Sequence, residues 1–242
     1  VTVLVVTGGG RGIGAAVCRR AAREGFDVVV NYADDRKSAE DVAEAVRTVG
    51  QRAMTVRADV SDEDQVRDLF RQADELGSLS ALVVNAGITG NTPGKLHDQS
   101  VATFRRVFDV NVTGAFLCMR EAVGRLTDGG AIVAVSSTAA RRGSPGEWVH
   151  YAASKSALET LAYGLAQEVA DRGIRVNTVA PGLVNSDLHA AAGMPDRPQR
   201  LAWKIPLGRA GEPEEIAEGV VWLLTPAASF VTGAVLPISG GF

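Results

Sequence analysis

Cysteine, histidine and aromatic side chains are all scarce in this chain, and each scarcity removes a class of chemistry. Its 242 residues hold two Cys and three His, and Phe, Trp and Tyr together make up 5%. Cys18 and Cys118 fall in apolar stretches of helical period and match no metal spacing. They read as buried free thiols of a reducing compartment. His97 and His189 have no partner at ligand spacing, so no metal site is expected. An excess of either charge is missing too: 25 Lys and Arg face 28 Asp and Glu, a net charge of −3. That balance gives no footing for a nucleic-acid partner. No apolar run approaches the ~20 residues that span a bilayer, so no membrane segment is expected. Val1–Val6 reads as a strand rather than a basic-then-apolar leader, which makes the cytoplasm the expected location.

What the chain does have is a regular alternation of short apolar runs and amphipathic stretches. Val3–Val6, Asp27–Tyr32, Arg52–Arg57, Ala81–Val84, Ala131–Val135, Arg175–Val179 and Val235–Ile238 read as strands. Gly12–Glu24, Lys37–Val49, Glu63–Glu75, Val101–Leu126, Tyr151–Asp171 and Pro213–Leu224 read as helices between them. Ser61-x-x-Asp64 suggests a capping box, and Pro213 suits a first helical turn. Continuous apolar strands separated by helices predict an α/β fold. The expected form is a single doubly wound Rossmann-type domain over 1–242, a seven-stranded parallel sheet with helices on both faces. Only Leu183–Gly211 breaks the rhythm, with three prolines, three glycines and no sustained period. A loop of that length predicts a substrate lid at about 183–211.

Two stretches carry chemistry. In Ser136–Lys155 a phenol, Tyr151, stands four residues before an amine, Lys155, on one face of a helix. Ser136 and Ser137 close the preceding strand. A free phenol has a pKa near ~10, so matching it to neutrality requires roughly 4 kcal/mol in favour of phenolate. A cation one turn away supplies part of that. Such a group suits the reduction of a carbonyl. The other stretch, Thr7-Gly8-Gly9-Gly10-Arg11-Gly12-Ile13-Gly14, joins the first strand to the first helix. Its glycines let backbone approach a pyrophosphate at a helix N-terminus. The second strand ends Asn31-Tyr32-Ala33 without the acid that binds ribose hydroxyls in NAD sites. Arg11, Arg36 and Lys37 lie nearby and suit a 2′-phosphate, while Asp34 and Asp35 pull the other way. NADP(H) is therefore favoured, with NAD(H) possible.

In this order the motifs resemble the short-chain dehydrogenase/reductase family, over Val3 to Phe242. Gly8, Gly10, Arg11, Gly12, Ile13 and Gly14 resemble its glycine-rich loop. Asp59-Val60 resembles the pair set against adenine, and Asn85-Ala86-Gly87 the motif along the cofactor, with Val84 where a second Asn is common. Asn111, Ser137, Tyr151 and Lys155 match the family's catalytic tetrad. The Ser137–Tyr151 spacing is 14, one more than the pattern, which leaves Ser136 as the rival hydroxyl. Pro181-Gly182, Val184 and Ser186 match positions over the nicotinamide, with Ser186 where Thr is usual.

The resemblance implies that Tyr151 gives a proton to a carbonyl oxygen as hydride leaves the nicotinamide, with Ser137 steadying that oxygen. Lys155 would bind ribose hydroxyls and lower the phenol pKa, and Asn111 would hold a water that refills the proton. The implied substrate is a small carbonyl or alcohol, and the implied assembly a homotetramer or homodimer. Two alternatives stay open. One is a 3-oxoacyl-carrier-protein reductase, where an acidic carrier calls for basic residues beside the cleft: Arg172 could serve, but the helix end at 124–129 offers only Arg125 and an acid, Asp128. The other is a non-catalytic nucleotide-sensing protein. His150 adjoins Tyr151 but faces elsewhere on a helix. Arg141 and Arg142 either meet an anionic substrate or stay solvated, and Trp148, Leu188, Met194 and Trp203 either line the substrate cleft or pack. Leu158, Leu161, Leu165 and Val169 keep a helical period as core or subunit contact.

Overall fold

The computed structural model describes residues 2–90 and 93–242; Val1, part of the first apolar run, lies outside them. The strands are β1 (Val3–Val6), β2 (Asp27–Tyr32), β3 (Ala53–Arg57), β4 (Leu79–Val84), β5 (Ala131–Val135), β6 (Arg175–Pro181) and β7 (Val235–Ile238). They form one seven-stranded sheet in the order β3-β2-β1-β4-β5-β6-β7, every pair parallel. The order reverses between β1 and β4, and at such a point the strand ends leave a crevice.

Around the sheet run α1 (Gly12–Arg23), α2 (Arg36–Thr48), α3 (Glu63–Leu76), α4 (Val101–Phe108), α5 (Gly114–Val123), α6 (Ala139–Arg142), α7 (Val149–Glu168), α8 (Asp187–Ala191), α9 (Arg197–Leu201) and α10 (Pro213–Leu224). Side chains alternate across β1. Val3 and Val5 join Phe70, Leu117 and Leu158 of α3, α5 and α7 in one core. Leu4 and Val6 join Val17, Val42 and Val220 of α1, α2 and α10 in the other. Each such fully buried side chain contributes roughly 1.5–3 kcal/mol. This is the doubly wound Rossmann-type architecture, with helices on both faces.

Four local readings change. The expected helix Val101–Leu126 is broken by a π-turn at Asp109–Thr113, between α4 and α5. Gly114, just beyond it, sits against Val60, where an added Cβ would lie 3.0 Å from the Val60 carbonyl oxygen. The cap of α3 is Asp62, not Ser61: its carboxylate accepts from the Gln65 N–H at 3.1 Å. Ser61 is already used by Asp59, to which its N–H and hydroxyl both donate. The α7 helix begins at Val149, which places Tyr151 in its first turn. The aperiodic stretch 183–211 folds into α8, α9 and a 3₁₀ turn at Ala202–Lys204. Its two ends meet where the Gly211 N–H donates to the Leu183 carbonyl at 2.9 Å. Pro213 opens α10 as expected.

Candidate active site

A cleft of about 700 Å³ lies at the carboxyl ends of the strands. The glycine loop forms one end of it, held from below by polar side chains. Asn31 at the end of β2 accepts from the Gly8 N–H at 3.1 Å and donates to the Val56 and Ala58 carbonyls. Asn85 donates to the Thr7 and Gly8 carbonyls, each at 3.0 Å. Thr7, which the sequence reading passed over, closes the brace by accepting from the Asn85 and Ala86 N–H groups. A hydroxyl directly before the glycines was the only signal for it. The first turn of α1 carries no acid, and its cap residue Arg11 makes no side-chain capping bond. These N–H groups are thus left for an anion. Gly12 takes φ +51°, and a Cβ added there would enter the gap facing Ser186, 3.5 Å away. The loop therefore fits a dinucleotide pyrophosphate.

Gly8, Gly10, Arg11, Gly12, Ile13, Asn31, Tyr32, Ala33, Asp59, Val60, Asn85, Ala86 and Gly87 line this half of the cleft. Gly14 does not; it packs beneath the loop, against Gly8 and Asn85. Arg36 and Lys37 are also outside the lining. Asp34 and Asp35 do line it, and Asp35 accepts from the Ser38 N–H and hydroxyl at 3.0 and 2.7 Å. Those bonds hold its carboxyl below the usual range. Asp59 is similarly committed. Burial acts to raise its pKa, but bonds from Ser61 and Arg106 outweigh it and the carboxyl is lowered.

At the other half, β5 and the first turn of α7 bring Ser137, Tyr151 and Lys155 into the lining, with Pro181, Gly182, Val184 and Ser186 opposite. Lys155 is buried and donates to the Val135 carbonyl at 2.8 Å. Its Nζ stands 5.7 Å from the centre of the Tyr151 ring. Burial pulls the Lys155 pKa down to about 8. It pushes the Tyr151 phenol up to about 12, against the opposing pull of the Ser137 hydroxyl and the Arg197 cation. Desolvation thus exceeds the lowering field expected from the sequence, and the phenol holds its proton. Ser136, the rival hydroxyl, donates instead to Glu159 at 2.8 Å, away from the phenol. Asn111 lies behind the cleft, not in its lining. Its amide accepts from the Ile88 N–H and donates to the Ile88 carbonyl and to Ser154. Ser154 in turn donates to the Tyr151 carbonyl at 2.7 Å. The Asn111 side chain thus braces the helix that carries Tyr151.

A second polar group at this end was invisible in the sequence. Glu147, four residues before Tyr151, binds Arg197 of α9 through both oxygens, at 2.6 and 3.1 Å. The Arg197 side chain is only 12% exposed and lies over the Trp148 ring at 5.3 Å. His189 completes the wall, and burial with the nearby Arg197 holds its pKa down to about 4. The Trp148 Nε1 and His189 Nδ1 are buried without a hydrogen-bond partner among the described residues. Such a group costs about 1–3 kcal/mol. His150 faces away, its Nε2 2.8 Å from the Thr89 carbonyl oxygen. Among the described residues no group of three or more His, Cys, Asp or Glu could hold a metal. No described helix is long and apolar enough to cross a membrane. Both cysteines are buried, and burial raises their thiols to about 12.

Comparison with known proteins places this geometry. A family model described as enoyl-(acyl carrier protein) reductase matches residues 8–242. An uncharacterized oxidoreductase of Escherichia coli, YgfF, is 46% identical, covering 99% of both chains. The cis-4-hydroxycyclohexanecarboxylate dehydrogenase of Sinomonas cyclohexanicum is 43% identical over 99% of this chain and 96% of that one. A solved short-chain dehydrogenase of Burkholderia cenocepacia, in complex with NADP, superposes with a TM-score of 0.92 at 32% identity, covering 98% of this chain and 96% of that one. With its braced glycine loop and a Tyr and Lys turned into one cleft at the sheet's reversal point, the chain belongs to the short-chain dehydrogenase/reductase family of oxidoreductases.

Proposed function

We propose that this protein is an NADP(H)-dependent oxidoreductase that moves a hydride between the nicotinamide and a small carbonyl or secondary alcohol. One observation carries the reading: Ser137, Tyr151 and Lys155 share a cleft with a glycine loop shaped for a pyrophosphate. The cofactor supplies the hydride when bound; the protein supplies position and proton. The α1 N-terminus with Gly10 and Gly12 holds the pyrophosphate, and Pro181–Ser186 lines the nicotinamide end. Tyr151 gives its proton to the substrate oxygen in reduction and takes it back in oxidation. Ser137 hydrogen-bonds the same oxygen and steadies the charge that develops there. Lys155, buried and cationic near neutrality, holds the ribose. The Sinomonas relative, named for the oxidation of a cyclic secondary alcohol, supports this substrate pair.

NADP(H) is favoured because Arg11 lines the cleft beside Tyr32 and Ala33, and of the two acids that line it there, Asp34 and Asp35, the second is engaged in capping α2. The NADP bound to the Burkholderia structure supports the same choice. Activity on a panel of ketones, aldehydes and alcohols with both cofactors tests the function. In that assay Tyr32→Asp is expected to shift kcat/KM toward NADH by about tenfold or more, by placing an acid where a 2′-phosphate would sit. An unmoved preference defeats the 2′-phosphate assignment.

The two cations weighed for the carrier-protein reading are both engaged within the chain. Arg125 is paired with Asp74 and Glu121. Arg172 binds Asp128 and the Val123 and Leu126 carbonyls.

Association of copies, expected as a tetramer or dimer, belongs to the same proposal. Val112, Phe116, Thr160 and Leu161 line a groove between α5 and α7, and Phe116 is 44% exposed. Light scattering should give a multiple of the chain mass, and Phe116→Glu should lower it; a monomer at micromolar concentration refutes the association.

A further inference from the structure

Three cations line one end of the cleft, and each lies over an aromatic ring. Arg142 at the end of α6 stands 3.6 Å from the centre of the Phe242 ring. Arg197 lies over Trp148, and Lys204 stands 5.4 Å from the centre of the Trp203 ring. A ring holds a cation by its face and leaves outward N–H groups free to bind. Their charges are not equally available. Glu147 already neutralises Arg197. Among the described residues no carboxylate oxygen lies within 4.0 Å of Arg142 or Lys204. Asp187 also lines the cleft and is paired with neither of them. Arg142 and Lys204 are therefore cations of the cleft wall that hold no ion-pair partner among the described residues. The unpartnered Nε1 of Trp148 adds a hydrogen-bond donor that the described residues leave unused.

We infer that the substrate is an oxo acid or the matching hydroxy acid, whose carboxylate is read by Arg142 and Lys204. A short hydrocarbon spacer lies between that carboxylate and the reacting carbon, against Trp148 and Leu188. Arg197 remains with Glu147 and positions this wall beside Tyr151. The inference rests on the proposed carbonyl chemistry and deepens it by naming the anionic group. Cations at the mouth of a cleft also steer an anion inward before contact.

The test compares 4-oxopentanoate, its methyl ester and 2-pentanone as substrates of the NADPH-loaded full chain. The acid should exceed the ester in kcat/KM by about tenfold or more, with the difference lying in KM. In the Arg142→Ala/Lys204→Ala double variant the acid-to-ester ratio should fall toward one, and Arg142→Glu should take it lower than Arg142→Ala does. Salt gives a readout without any variant. Between about 20 and about 500 mM NaCl the acid's KM should rise at least about threefold more than the ester's. An acid-to-ester ratio near one in the unaltered protein, or a high ratio that survives the double substitution, overturns the inference and leaves carbonyl reduction standing. No turnover with these three compounds or with the wider panel, under either cofactor, removes the proposed function and the inference with it.

Discussion

Tyr151→Phe should lower kcat by between about 10² and 10⁴-fold while the Kd for NADP changes by less than about threefold. Phenylalanine keeps the ring that fills this buried position and removes only the hydroxyl, so the loss reads the proton step alone. Steady-state turnover of a ketone, with a fluorescence titration of the dinucleotide, measures both quantities. Retained turnover would show that another group gives the proton. Direction follows from the same side chain. Burial pushes the phenol up to about 12, so the protonated form that reduction needs is present throughout the neutral range. Oxidation needs the phenolate and consumes no proton, so its rate should climb with pH.

Gly14→Ala should be the most damaging single methyl in the cofactor half. An added Cβ would lie 2.3 Å from the Gly8 carbonyl oxygen and 2.6 Å from the Asn85 Nδ2. Neither can withdraw easily. Asn31 holds the Gly8 N–H, and Asn85 holds its carbonyl. Overpacking of this kind costs about 1–3 kcal/mol, a fall of several degrees in Tm at this chain length. Displacing the loop should also raise the NADP Kd by about tenfold or more. If thermal unfolding and titration both match the unaltered protein, the loop is not the rigid cradle described.

The sheet was legible because each strand is a short apolar run and each crossover helix has its own period. The glycine loop and the Tyr151–Lys155 pair were legible because their spacing is local. What escaped has a common physical cause. The π-turn at 109–113 sits where Gly114 packs against Val60, a tertiary contact between distant residues that no local period announces. Whether Ser61 or Asp62 caps α3 depended on Asp59, which had already taken Ser61. The Glu147–Arg197 pair joins residues 50 positions apart on two irregular segments, and no period links them. Asn111 was placed by resemblance, but its bonds to Ile88 and Ser154 are tertiary and carry no signature in the sequence.

The Arg197 pairing carries one more implication. This cation belongs to the stretch 183–211, yet its field helps oppose the raised pKa of Tyr151. The cation is also gripped by both oxygens of Glu147, which stands just before the helix that carries Tyr151. Two segments far apart in the chain are thereby tied at one clasp, and a change to either side of it reaches the wall beside the reacting hydroxyl.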